Sequence, residues 1–151
     1  MKFIKQTAAA FVFGLVIIGG IFAQEKQAFI KPTFSFGFAT AEGETLAANA
    51  MDIDFINDFG LTLGLQGLFA WNNNVVANPV AVGLGYTYNA GKWIAGAKLM
   101  AVPLFDVGGV GIDVNGTYWW KENLGFTGIL DLYFPKGFTI FSLRVGVTFK
   151  Y

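Results

Sequence analysis

The sequence predicts an all-β protein: an eight-stranded antiparallel up-and-down transmembrane β-barrel behind an N-terminal signal peptide. Three observations predict it. Apolar residues alternate with small or polar ones at period two along most of the chain, the mark of a strand with two unlike faces. The alternating runs are mostly nine to twelve residues long. A tilted membrane strand needs about 9–11 residues, whereas soluble strands average about 5–6. Finally, only 13% of the residues are charged and 54% are hydrophobic, where an ordinary globular domain is about 25% charged.

The first element is a targeting segment. Lys2 and Lys5 precede sixteen residues, Ala8–Ala23, without a polar side chain, and polarity returns at Gln24-Glu25-Lys26. A positive start, an apolar run and a small residue at its end describe a secretory signal peptide over 1–23, cleaved after Ala23. Sixteen residues fall short of the roughly 20 of a spanning helix. Removing the segment leaves one domain, 24–151, with eight basic and ten acidic residues and a net charge of −2. The chain has no Cys and no His, which excludes disulfides, thiolate chemistry, imidazole bases and the usual zinc sites. No cofactor is expected. The absence of a basic run excludes a nucleic-acid footprint.

The strands follow in order. Phe34, Phe36 and Phe38 oppose Thr33, Ser35 and Gly37 in the first. The second, about Thr45–Phe55, turns Thr45, Ala47, Asn49, Met51, Ile53 and Phe55 one way and Asp52 and Asp54 the other. The third runs Leu61–Trp71, the fourth Val80–Tyr88, the fifth Trp93–Ala101, the sixth Val110–Trp120 and the seventh Leu124–Phe134. In the last, Phe141, Leu143, Val145, Val147, Phe149 and Tyr151 alternate without error with Ser142, Arg144, Gly146, Thr148 and Lys150. Turn-forming clusters separate them, among them Asn57-Asp58-Phe59-Gly60, Asn89-Ala90-Gly91-Lys92 and Lys121-Glu122-Asn123.

The two faces decide which solvent each meets. The bulky apolar face carries no charge, and the other is mainly Gly, Ala, Thr, Ser and Asn with Lys98, Asp113, Asp131 and Arg144. A surface in water holds about 25–35% charge, so the poorly charged second face is not that surface. Large aromatics cannot fill the lumen of eight strands, which needs small side chains. A charge on the lipid face at mid-membrane costs about 2–4 kcal/mol, and the mid-strand charges avoid that face. The large face is therefore turned to lipid and the small polar face inward; a soluble lipocalin-like barrel is the alternative arrangement. Trp71 at one rim and Tyr86, Tyr88, Trp93 and Trp120 at the other form an expected interfacial aromatic girdle.

The region Ala28–Tyr151 resembles the small eight-stranded outer-membrane proteins of Gram-negative-type bacteria, the OmpA-, OmpX- and OmpW-like barrels. The motif that carries the resemblance is the last strand, Phe141–Tyr151, alternating and ending in an aromatic residue. The resemblance implies residence in the bacterial outer membrane, with outer-membrane lipid as a partner. It also implies an assembly signal at Val145, Val147, Phe149 and Tyr151, read by the barrel-assembly machinery. The chain departs from the family in its short outward connections, about Thr40–Glu44, Asn72–Asn78, Pro103–Gly108 and Pro135–Gly137, which weakens a loop-based adhesin role.

Turn positions set an expected register. Tyr88 opposite Trp93 puts Gly83 beside Lys98; Val102 opposite Gly109 puts Lys98 beside Asp113; Trp120 opposite Leu124 puts Asp113 beside Asp131. Asp131 then lies beside Ser142 and diagonal to Arg144, within cross-strand reach. These four charges form an expected neutral interior network, which Asp52 and Asp54 extend past Gln66. Either the network fills and stabilises the core, because buried charges must be paired, or it forms a gate. The function classes are a non-enzymatic structural or interaction barrel, a narrow channel or carrier for small or apolar molecules, and a lipid-modifying enzyme. The last lacks a histidine to activate Ser35 or Ser142.

Overall fold

A strand with two unlike faces buries one of them by curling its sheet into a closed ring. The structure of the chain, a computed structural model, describes residues 28–72, 76–77, 80–102, 109–135 and 139–151. The segment 1–23 read as a signal peptide lies outside the described residues. The strands are β1 (Phe29–Ala41), β2 (Glu44–Ile56), β3 (Leu61–Trp71), β4 (Val76–Ala77), β5 (Val80–Ala90), β6 (Trp93–Val102), β7 (Gly109–Lys121), β8 (Leu124–Pro135) and β9 (Ile140–Phe149). All neighbours are antiparallel, in the order β2-β1-β9-β8-β7-β6-β5-β3-β4, and a β2–β3 pairing closes the ring. β4 and β5 lie on β3 in one register, Ala70 opposite Ala77 and Gly67 opposite Val80. They make a single stave, so the barrel has eight staves.

Several boundaries differ from the sequence reading: Val76–Ala77, expected inside the connection Asn72–Asn78, form β4, and the last strand ends at Phe149 rather than Tyr151. β1 begins at Phe29 rather than Thr33. Pro32 lacks an N–H, but near the start of a strand the missing donor is tolerated, and its carbonyl accepts a hydrogen bond from Thr148 Oγ1 at 3.0 Å. The connection expected over Thr40–Glu44 is a two-residue turn, because Thr40 pairs with Thr45 and Ala41 with Glu44. Glu42 (φ 52°) and Gly43 (φ 83°) adopt the left-handed backbone that a tight hairpin requires. Elsewhere the turn chemistry read from sequence is in place. Asn57 Oδ1 accepts from the N–H of Phe59 (3.1 Å) and of Leu61 (2.8 Å), and Asn89 Oδ1 from that of Gly91 (3.0 Å).

We call the end bearing the start of β1, the end of β9 and turns 57–60, 91–92 and 122–123 the near rim, and the opposite end the far rim. The outward face is apolar: Leu99 is 71% exposed, Phe36 64% and Val145 55%, with Phe126 also exposed. The inward face holds the charges, with Asp113 and Arg144 each 1% exposed. So large an apolar girth suits lipid rather than water. The interior is not uniformly small and polar, however. Toward the far rim it is an apolar cluster built from Leu46, Leu68, Met100, Val102, Tyr133 and Ile140 with five alanines and Ala81 between them.

Candidate functional site

The half of the interior nearer the chain's near rim is a stack of polar layers. At the rim, threonines pair across strands: Thr33 with Thr148 (2.8 Å), Thr117 with Thr127 (2.8 Å) and Thr62 with Thr87 (2.7 Å). Each hydroxyl thereby finds a partner where water does not reach.

Beside and above them are two buried lysines, Lys31 lying two residues nearer the rim than Thr33 on β1. Lys98 Nζ donates to Asp54 Oδ1 at 2.6 Å and sits 3.5 Å from Asp113 Oδ1. Lys31 Nζ reaches the other oxygen of Asp54 at 3.2 Å and donates to Asn115 Oδ1 at 3.1 Å. Asn115 Nδ2 donates in turn to Asp113 Oδ1 at 2.7 Å. The pairing sets this geometry: Lys98 is opposite Asp113, and Lys31 is opposite Asp54. Asp54 therefore accepts from two cations arriving from opposite walls.

Next is an arginine layer. Arg144 donates through Nη2 and Nε to Asp131 Oδ2 (2.6 and 3.1 Å), and through Nη1 to Asp52 Oδ2 (3.1 Å) and Ser35 Oγ (2.6 Å). Its planar fork thus presents fixed N–H donors to two carboxylates and a hydroxyl on three other staves at once. Ser142 donates to Asp131 Oδ2 at 2.9 Å, and Gln66 Nε2 donates to Asp52 Oδ1 at 2.6 Å and Asp131 Oδ1 at 3.3 Å. Glycines make room for these side chains. Gly37 stands opposite Arg144, and a Cβ on Gly64 would lie 2.8 Å from Asp54 Oδ1 and 3.1 Å from Lys98 Nζ.

The structure thus brings Lys98, Asp113, Asp131, Arg144, Asp52 and Asp54 into one interior network, with three changes to the sequence account. Gly85, not Gly83, is opposite Lys98, because β5 and β6 join through Gly91 and Lys92 and pair Ala90 with Trp93. Lys31 also joins it, so that with Asp52 and Asp54 included the network counts three cations to four carboxylates. Lys31 escaped the sequence reading because Pro32 masked the inward period that Thr33 and Ser35 continue. Asp113 is opposite Asp131 although Trp120 does not pair with Leu124; a bulge between Trp119 and Lys121 shifts the ladder there.

The remaining sequence-selected residues lie on the outer face. Tyr86, Tyr88, Trp93 and Trp120 are exposed toward the near rim, and Trp71 is half-buried at the far rim, 4.9 Å from Phe69 between ring centres. Val145 and Tyr151 are exposed and Val147 and Phe149 half-buried along β9 and its continuation, where Tyr151 and Ile30 exchange backbone hydrogen bonds of 3.0 and 2.9 Å.

A ring of this kind, apolar outside and ionic within, has the fold of the small eight-stranded outer-membrane barrels. A designed transmembrane β-barrel superposes with a TM-score of 0.63 at 12% identity, covering 84% of this chain and 98% of its own. The N-terminal β-barrel domain of Pseudomonas aeruginosa OprF gives 0.60 at 13% identity, covering 83% and 100%. Neisserial surface protein A gives 0.59 at 12% identity, covering 82% and 97%. No protein-family model and no curated protein sequence matches the chain.

Proposed function

We propose that the protein is a non-enzymatic barrel of the bacterial outer membrane with a structural or interaction role and a closed lumen. The supporting observation is the burial of the interior ions. A side chain bordering a water-filled passage keeps accessible surface, yet Arg144, Lys31, Asp52, Asp54, Asp113 and Asp131 each keep 2% or less. Beyond them the apolar cluster fills the far half, and an ion crossing it would lose its hydration with nothing to replace it. In this reading the charged network serves the core. The near rim faces the periplasm after export through the cleaved segment 1–23. The exposed aromatics hold the two interfaces, and Val145, Val147, Phe149 and Tyr151 form the strand read by the barrel-assembly machinery.

Planar-bilayer recording tests the closed lumen. The purified barrel is expected to give no conductance steps above background, and reproducible steps would overturn the reading in favour of a narrow channel. Heat-modifiable migration on a gel and recovery in the outer-membrane fraction are the accompanying expectations.

A further inference from the structure

We propose that the near rim carries a built binding site for the phosphodiester headgroup of an anionic glycerophospholipid. The proposal rests on the membrane reading above. Three lysines, Lys92, Lys121 and Lys150, line one recess of about 240 Å³ at the barrel mouth, together with Phe29, Trp119 and Trp120. Glu122 is the single carboxylate in that lining. None of the three ammoniums has an ion-pair partner among the described residues. By contrast, the described residues of the far rim carry Glu42 and Glu44 and no cation.

The lysines come from three places at this rim, the β5–β6 turn, the end of β7 and the residue after β9, and backbone hydrogen bonds hold these segments together. The carbonyl of Lys92 accepts from the N–H of Trp119 at 2.8 Å, and the N–H of Lys150 donates to the carbonyl of Asn123 at 3.1 Å. Strand alternation sends two neighbouring indoles of β7 to opposite faces, beside a bulge between Trp119 and Lys121. Trp119 turns into the mouth and is 8% exposed, while Trp120 faces outward and is 60% exposed. Trp120 lies 6.1 Å from Phe126 between ring centres. The recess therefore meets both the mouth and the lipid surface, the place where a headgroup sits while its acyl chains stay outside.

Two of the ammoniums are already positioned over rings, Lys121 Nζ 5.4 Å from the centre of Trp120 and Lys150 Nζ 4.7 Å from that of Phe29. This keeps them at the interface and leaves their N–H donors for an anion. A lipid zwitterion brings its own ammonium into the same recess and loses most of the gain, so the charge balance selects an anionic headgroup.

The test uses the folded barrel in a neutral detergent. Dihexanoyl phosphatidylglycerol, dihexanoyl phosphatidylcholine or inorganic phosphate is titrated, read by native mass spectrometry and tryptophan fluorescence. Phosphatidylglycerol is expected to form a one-to-one adduct that weakens with salt. A basic residue near a membrane surface contributes about a fivefold factor, so K92Q/K121Q/K150Q together should weaken the adduct roughly a hundredfold. E122Q should strengthen it by about fivefold on the same ground. Equal adducts in wild type and triple variant, or equal binding of phosphatidylcholine, would overturn the site. Inorganic phosphate reproducing the response at the same concentration would overturn the lipid as its source. Heat-modifiable migration of each variant reports barrel integrity, so failure of the headgroup site is distinguishable from failure of the barrel.

Discussion

The two halves of the barrel interior solve the same packing problem with opposite chemistry. Toward the far rim, Leu46, Leu68, Met100 and Ile140 fill the space as an ordinary apolar core would. Toward the near rim, three cations and four carboxylates fill it, each charge held by partners from other staves. The apolar half tolerates loss of one contact because its neighbours remain apolar. The ionic half does not, because removing one partner strands the other charge in a place without water. Fragility in this barrel should therefore follow connectivity rather than size.

The largest expected effect is therefore at the most connected residue. Arg144→Ala leaves Asp131 and Asp52 without their main partner and should cost about 3–5 kcal/mol. Lys150→Ala, at an exposed rim position, should leave stability nearly unchanged. Urea unfolding in detergent, followed by the heat-modifiable gel shift, measures both. Equal midpoints for the two variants would remove the energetic role of the network.

Leu46→Ala in the apolar half comes next. Leu46 is 1% exposed, and loss of a buried isopropyl group costs about 2–5 kcal/mol, least where the surrounding alanines can close the cavity. A cost above that of Arg144→Ala in the same urea series would reverse the comparison. The two halves were also unequally legible in the sequence. Charges on the inward face of an alternating strand stand out, so Lys98, Asp113, Asp131 and Arg144 could be placed on neighbouring staves from period and turn positions alone. Which oxygen meets which nitrogen could not, because Lys98 to Asp54 and Arg144 to Ser35 depend on how β1 and β2 close the ring. The apolar half was hidden for a different reason. Alternation turns Leu68 and Met100 inward, but they come from separate strands among small residues, and only the closed ring reveals that they gather with Leu46 into one apolar cluster.

A smaller effect is expected where the backbone yields space to the network. A Cβ on Gly64 would crowd Asp54 Oδ1 and Lys98 Nζ. Gly64→Ala must therefore move an ion pair that is 2.6 Å long, and overpacking of this kind costs about 1–3 kcal/mol. Gly67→Ala on the outer face, where nothing lies within 4 Å of the added atom, serves as the control. The two alanines should differ in unfolding midpoint, and equal midpoints would show that the ion pair yields freely.

The smallest change separates a charge that stabilises from one that does not. Asp113 stands directly opposite Asp131, and its Oδ2 has no hydrogen-bond partner among the described residues. Like charges facing each other across strands are destabilising, and Asp113 belongs to the set in which carboxylates outnumber cations. Asp113→Asn keeps an oxygen to accept from Asn115 and removes the repulsion; Lys98 retains Asp54 at 2.6 Å. Its expected effect is within about 0.5 kcal/mol of zero or slightly stabilising. Asp54→Asn is the same chemical change at a residue shared by Lys31 and Lys98, and it should be clearly destabilising. Melting both in one detergent compares them directly. A loss at Asp113 as large as that at Asp54 would mean that the count of charges, rather than the partners each one holds, governs this interior.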